Sequence, residues 1–191
     1  MCAPIFYLLA GPNGAGKSTL YKALVNQGTI DSQTEFVNAD LYETEHLNHI
    51  QDPLDRSIAA RDWADARRAA LLKQKQSFVS ETVFSHESKI TLIEEAKTHG
   101  FQVILFVVAL DDPQHLIHRV ANRVKEGGHN VPSDRVLARY PRTLANLKLA
   151  VRKASAAFSQ VKAYPRQGLD RVRATASRQP AHLRFLRSEE H

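Results

Sequence analysis

The sequence predicts an α/β fold, a parallel sheet with helices on both faces, and three observations carry that expectation. The apolar run Pro4 to Ala10 leads directly into GPNGAGKS, Gly11 to Ser18, with a helix-like stretch behind it. Val103 to Leu110 is a continuous apolar run, the pattern of a strand buried on both sides. Elsewhere short apolar segments alternate with amphipathic ones. Such alternation implies right-handed crossovers and ligand binding outside the carboxyl ends of the strands.

Taken in order, Pro4 to Ala10 is the first strand, and Lys17 to Gln27 reads as a helix whose Leu20, Ala23 and Leu24 share a face and which stops before Gly28. Glu35 to Asn38 is a short second strand that delivers Asp40 just beyond its end. Asp52-Pro53 opens a long helix, because aspartate caps and proline suits the first helical position; Ile58, Ala59, Ala66 and Ala70 supply its apolar contacts. Ser77 to Ser80 is a third strand with Glu81 at its end, and Glu87 to His99 a helix stopped by Gly100. After Val103 to Leu110, Asp112-Pro113 caps a helix with the stripe Leu116, Ile117, Val120 and Val124. On that helix Arg119 and Arg123 are four apart and share a face.

Gly127-Gly128 ends that helix, and Gly127 to Ser133 reads as a mobile link containing His129. Arg135, Arg139 and Arg142 then recur at helical spacing, with Pro141 expected to kink or restart the helix. Leu144, Leu147, Val151 and Phe158 extend the helical reading to about Gln160. The predicted organisation is one domain over residues 1–160, with an arginine-bearing lid at about 119–142, followed by a basic, irregular tail over 161–191.

A chain of 191 residues is ordinary for one α/β unit with a core. No apolar run is long enough to span a bilayer, and Ile5 to Ala10 lacks the charged leader of a signal peptide, so the expected location is the cytoplasm. The single cysteine, Cys2, excludes an intrachain disulfide framework and a multi-cysteine zinc site. Net charge is +6, but from Phe158 onward seven Lys/Arg face three acids, so most of the excess lies in the tail. Aromatic residues are sparse there, which argues against a single-strand nucleic-acid binder.

GPNGAGKS followed by Thr19 is a complete GxxxxGK[ST] loop between strand and helix. Gly11, Pro12, Asn13, Gly14, Ala15, Gly16, Lys17, Ser18 and Thr19 are the candidate nucleotide-cradling residues. Glycines let successive N–H groups converge on phosphate oxygens, Lys17 reaches the β/γ-phosphates of a bound nucleotide, and Ser18 reaches Mg²⁺. Phosphoryl transfer further needs charge neutralisation, an in-line acceptor and a group that takes the acceptor proton. Asp40 fits the last role or, alternatively, caps the Leu41-Tyr42-Glu43 turn. Glu81 fits a metal-bound water or a substrate hydroxyl, or an ion-paired strand end; Thr82 and Ser85 can donate hydrogen bonds. Arg119, Arg123, Arg135 and Arg139 form a candidate lid that swings cations over bound triphosphate.

GPNGAGKST, FVNAD, FVSETVFSH and RVANRVKEGGHNVPSDRVLARYPRTLANL, in that order, resemble the zeta-toxin family of P-loop kinases, in particular its short chromosomal bacterial members. The resemblance covers roughly Ile5 to Ala157. It implies a shikimate-kinase-like core and transfer of the ATP γ-phosphate to the 3′-hydroxyl of UDP-N-acetylglucosamine, which blocks peptidoglycan synthesis. It further implies that Asp40 is the base, that Glu81 is the acidic substrate-binding residue, and that Arg123 and Arg135, with Arg119 or Arg139 as substitutes, contact phosphate. A small helical antitoxin is the implied partner. The family pattern also calls for an apolar strand after Phe158 and an Asp-Asn-Ser-like turn near the adenine. VKAYPRQGLDRVRATASRQPAHLRFLRSEEH shows no sustained period, so the sequence predicts a sheet one strand short and a poorly lined adenine pocket.

Overall fold

A computed structural model of the chain describes residues 3–110, 113–125, 132–162 and 172–173. The elements run β1 (Ile5–Ala10), α1 (Lys17–Asn26), β2 (Glu35–Val37), α2 (Ala39–His46), α3 (Pro53–Gln74), β3 (Phe78–Thr82) and α4 (Ser88–Thr98). They continue with β4 (Gln102–Leu110), α5 (Pro113–Lys125), α6 (Ser133–Lys153), β5 (Ala156–Lys162) and β6 (Val172–Arg173). One sheet has the order β2-β3-β1-β4-β5-β6, with the first five strands parallel and β6 antiparallel to β5. None of its helices is long and apolar enough to cross a membrane, among the described residues.

The apolar runs explain the layers. Along β1, Phe6, Leu8 and Ala10 pack on one face with Ala64, Leu71 and Leu72 of α3, Ile93 and Ala96 of α4, and Leu147 and Ala150 of α6. Tyr7 and Leu9 point to the other face, against Leu24 of α1 and Ile30. Both faces are covered, as a parallel sheet requires. A third cluster of Ala15, Val108, Leu116, Val120 and Val136 seats α5 and the start of α6 on the loop after β1.

Caps follow the chemistry of their residues. Asp52 Oδ1 accepts from the N–H groups of Leu54 and Asp55 at 2.8 and 2.9 Å, with Pro53 at the first helical position. Asn38, not Asp40, caps α2: its side chain accepts from Leu41 N–H at 3.2 Å. Asp40 lies in the first turn of α2, a helix of two turns where the sequence suggested only a turn. The cap role proposed as the alternative for Asp40 is therefore held by its neighbour two residues earlier.

Two expectations change. Of the two outcomes expected at Pro141, a restart does not occur; α6 runs from Ser133 to Lys153 with Pro141 inside it on the exposed side. The helix also does not extend to Gln160. It ends at Lys153, and Ala156–Lys162 forms β5, hydrogen-bonded in parallel to β4 with Ile104 opposite Ala156 and Phe106 opposite Phe158. The fifth parallel strand is present; it begins before Phe158, where the sequence placed a helix. Phe158 stacks on Phe106 with ring centroids 5.5 Å apart, a cross-strand contact that helical spacing had disguised. The predicted cap Asp112, the link from Gly127 with His129, and most of the tail lie outside the described residues.

Candidate active site

The register of the sheet assembles the site. Ala10 ends β1 opposite Thr82 of β3, and Gly11 N–H continues the ladder by donating to Thr82 O at 3.2 Å. Val37 pairs with Ser80, which places Asn38 beside Glu81. The loop after β1, Asn38 after β2, and Glu81 at the end of β3 thus meet at one carboxyl edge.

Gly11 is required there by close approach: a Cβ on it would lie 1.9 Å from Val108 O, a backbone atom of β4. Gly14 and Gly16 have φ of 77° and 102°, which curl the loop around a concave face. A Cβ on Gly16 would sit 3.3 Å from Arg119 Nη2, so the guanidinium of α5 lies against the loop. The N-terminal residue Gly16 supplies no side-chain cap to α1, leaving the helix end to other partners.

Glu81 is the hub. Its Oε2 accepts from Ser18 Oγ at 3.0 Å and from Asn38 Nδ2 at 3.2 Å, and its Oε1 is 3.5 Å from Lys17 Nζ. Lys17 also donates to Pro12 O at 3.1 Å, and its side chain is only 5% exposed against 12% for Glu81. Lysine, serine and carboxylate converge within hydrogen-bond reach before any ligand enters.

Around this hub opens a cavity of about 640 Å³ lined by Asn13, Lys17, Asn38, Asp40, Glu81 and the loop Thr82 to His86. Arg61, Asp65 and Arg68 of α3, Ser88 and Lys89 of α4, and Arg139 and Arg142 of α6 complete its wall. Six Lys/Arg side chains face three carboxylates, so the cavity is net cationic. Arg68 is buried, donates Nη1 to Ser80 Oγ at 3.1 Å and pairs with Asp65, while Lys89 Nζ reaches Asp65 Oδ1 at 3.2 Å. Burial alone would raise the Asp65 carboxyl, but the hydrogen bond and charge of Arg68, with Lys89 behind them, hold it below the usual carboxylate range.

Of the sequence-predicted residues, the cavity brings together Asn13, Lys17, Asp40, Glu81, Thr82 and Arg139. Ser18 joins through Glu81, and Arg119 through Gly16. Thr19 is exposed on α1. Arg135 is exposed near the start of α6 and is not among the cavity-lining residues; Arg139, one turn on, faces the cavity. Arg123 lies on α5, its side chain outside the described residues. Sequence reasoning did not single out Asn38, Arg61, Asp65, Arg68 and Lys89. Asn38 was legible as a helix cap, since Asn before a helical run is the standard donor-satisfying residue; nothing in a charged helix face marks which arginine will turn inward.

The family model for zeta toxin matches residues 2–175. The chain belongs to the zeta toxin family. This zeta toxin family protein is 31% identical over 142 residues to an uncharacterized protein of Haemophilus influenzae, an alignment that covers 71% of this chain and 91% of the relative. Its fold is that of the PezAT chromosomal toxin-antitoxin system of Streptococcus pneumoniae, with a TM-score of 0.61 at 15% identity over 85% of this chain and 70% of that one. The AvrRxo1-ORF1:AvrRxo1-ORF2 complex superposes with a TM-score of 0.69 at 18% identity, over 90% of this chain and 58% of that one. Family and fold together are those of a P-loop kinase.

Proposed function

We propose that this zeta toxin family protein transfers the γ-phosphate of ATP to the 3′-hydroxyl of UDP-N-acetylglucosamine, and so inhibits cell-wall synthesis. The supporting observation is the single cavity in which Asp40 and Glu81 face Lys17 and Arg139. The residues present fit ATP. Gly14 and Gly16 hold the loop at positive φ close against α5, and among the described residues Lys17 has Pro12 O and Glu81 to release before it turns to a phosphate. They also fit Mg²⁺. Among the described residues no three His, Cys, Asp or Glu form a protein-only cage, so Ser18, Glu81 through water, and phosphate oxygens would be its ligands. When bound, ATP supplies the transferable phosphoryl group and Mg²⁺ its neutralising charge.

The chain's own residues do the rest. Lys17 and Arg139 bring positive charge to where negative charge spreads in transfer. Asp40, relieved of the capping role by Asn38, is the base that receives the acceptor proton, and Glu81 and Thr82 orient the acceptor hydroxyl. The cationic far wall of Arg61, Arg68 and Lys89 suits an acceptor that is itself phosphorylated, as a UDP-sugar is. A toxin-antitoxin arrangement, named for the Streptococcus pneumoniae system, extends to this chain as a proposal: its partner is a small helical antitoxin.

The test is incubation with Mg²⁺-ATP and a panel of UDP-sugars and other small hydroxylated metabolites, with product detected by mass. Phosphorylated UDP-N-acetylglucosamine is expected, and Asp40→Asn is expected to lose transfer while retaining ATP binding. Turnover confined to a different metabolite would overturn the acceptor and leave the kinase.

A further inference from the structure

Three residues after Glu81, the backbone of Phe84 adopts φ 63°, a left-handed conformation unusual for a bulky side chain, and that side chain is fully buried. Both of its backbone polar groups are held. Its N–H donates to Thr82 Oγ1 at 3.3 Å, and its carbonyl accepts from Asn146 Nδ2 of α6 at 3.1 Å in a buried hydrogen bond. A backbone in this region persists only where its surroundings over-determine it, and such positions cluster at functional sites.

That hydrogen bond joins a residue lining the cavity to the helix that carries two others, Arg139 and Arg142. Thr82, Val83, Phe84, Ser85 and His86 form the wall that follows Glu81, and Arg139 and Arg142 reach the cavity from α6. Asn146 lies one helical turn beyond Arg142 and two beyond Arg139, about 6 and 10 Å along the axis. Leu147 and Ala150 fix the same part of α6 in the main core. The helix is therefore pinned at Asn146 to the loop after Glu81, and carries Arg142 and Arg139 one and two turns from the pin.

We propose that Asn146 is a positioning residue for phosphoryl transfer: through Phe84 it fixes the spacing between the arginines of α6 and the acceptor-facing loop. The inference rests on the kinase reading. Misplacing the arginines by a fraction of their reach matters most in the transition state, where charge has spread, and less for ground-state nucleotide binding.

Asn146→Leu keeps the size and removes the donor; Asn146→Gln keeps the donor. With wild-type protein at a temperature where all are folded, Asn146→Leu is expected to lower kcat by about ten- to a hundredfold at nearly constant KM for ATP. Asn146→Gln is expected to recover most of the loss. Amide exchange measured without nucleotide is expected to quicken in Asn146→Leu both in the segment 82–88 and in 135–145. An unchanged kcat, equal losses in both variants, or quickening confined to α6 would overturn the proposal. If Asn146→Leu does not fold, Asn146→Ala, which also lacks the donor, carries the same comparison. A wild-type protein that phosphorylates no UDP-sugar would overturn only the acceptor assignment, because the exchange comparison needs neither nucleotide nor acceptor.

Discussion

Replacing Glu81 with glutamine preserves shape and most hydrogen bonding but removes the carboxylate that, among the described residues, pairs with Lys17. The pair is 3.5 Å apart and largely buried. At an effective dielectric near 20, its gross attraction is about 5 kcal/mol. The retained Lys17 bond to Pro12 O and entry of water offset about half of this, leaving a net loss of about 2–3 kcal/mol. For a domain of this size the ligand-free melting temperature should fall by about 4–12 °C. Nucleotide phosphates can replace the lost carboxylate, so the deficit should shrink when ATP binds. The same linkage requires the variant to bind metal-free ATP more tightly than wild type, by about tenfold if 1.4 kcal/mol of the deficit is recovered. Thermal melts and calorimetric titrations in EDTA, with and without ATP, measure both quantities. Equal ligand-free melting temperatures together with equal ATP-induced shifts would refute the reasoning, because Lys17 would then have needed no partner.

Other expectations follow from the same geometry. Gly11→Ala drives a Cβ to 1.9 Å from Val108 O, where only a shift of β1 against β4 gives relief; denaturant titration should show a loss of about 1–3 kcal/mol or more. Arg139→Ala should slow transfer by about 10²-fold or more with little change in ATP affinity, whereas Arg135→Ala, exposed and outside the cavity, should stay near wild type in steady-state assays. The folded-state depression of the Asp65 pKa means that its partners add stability above the unfolded value near 3.8, and this is lost as pH falls through the lower folded value. Melts from pH 5 down to pH 2 should therefore show a steeper acid loss for wild type than for Asp65→Asn.

The phosphate loop and β4 were legible because each is specified locally: one by glycine spacing before GKS, the other by an apolar run that needs no partner to be recognised. Strand β5 was not. Ala154, Ser155, Ala156 and Ala157 have little strand preference of their own, and Phe158 falls seven residues after Val151, which imitates a helical stripe. Pairing with β4 decides the segment, a tertiary effect stronger than local propensity. In the site, Asp40 and Glu81 could be read because they lie at or just beyond the carboxyl ends of apolar segments. Arg68 could not: RDWADARRAALLKQK offers several cations on one helix, and only packing against Ser80 determines which of them is buried.

The outermost parallel strand is also the shortest, three residues from Glu35 to Val37. Glu35 on it is gripped by both Arg67 Nε and Nη2 from α3, so the rim carries a charged, side-chain-laden fork in place of a bare row of amides. A further strand from another molecule would find little length to pair with and an ion pair to displace. That edge resists sheet extension and hence aggregation by strand addition.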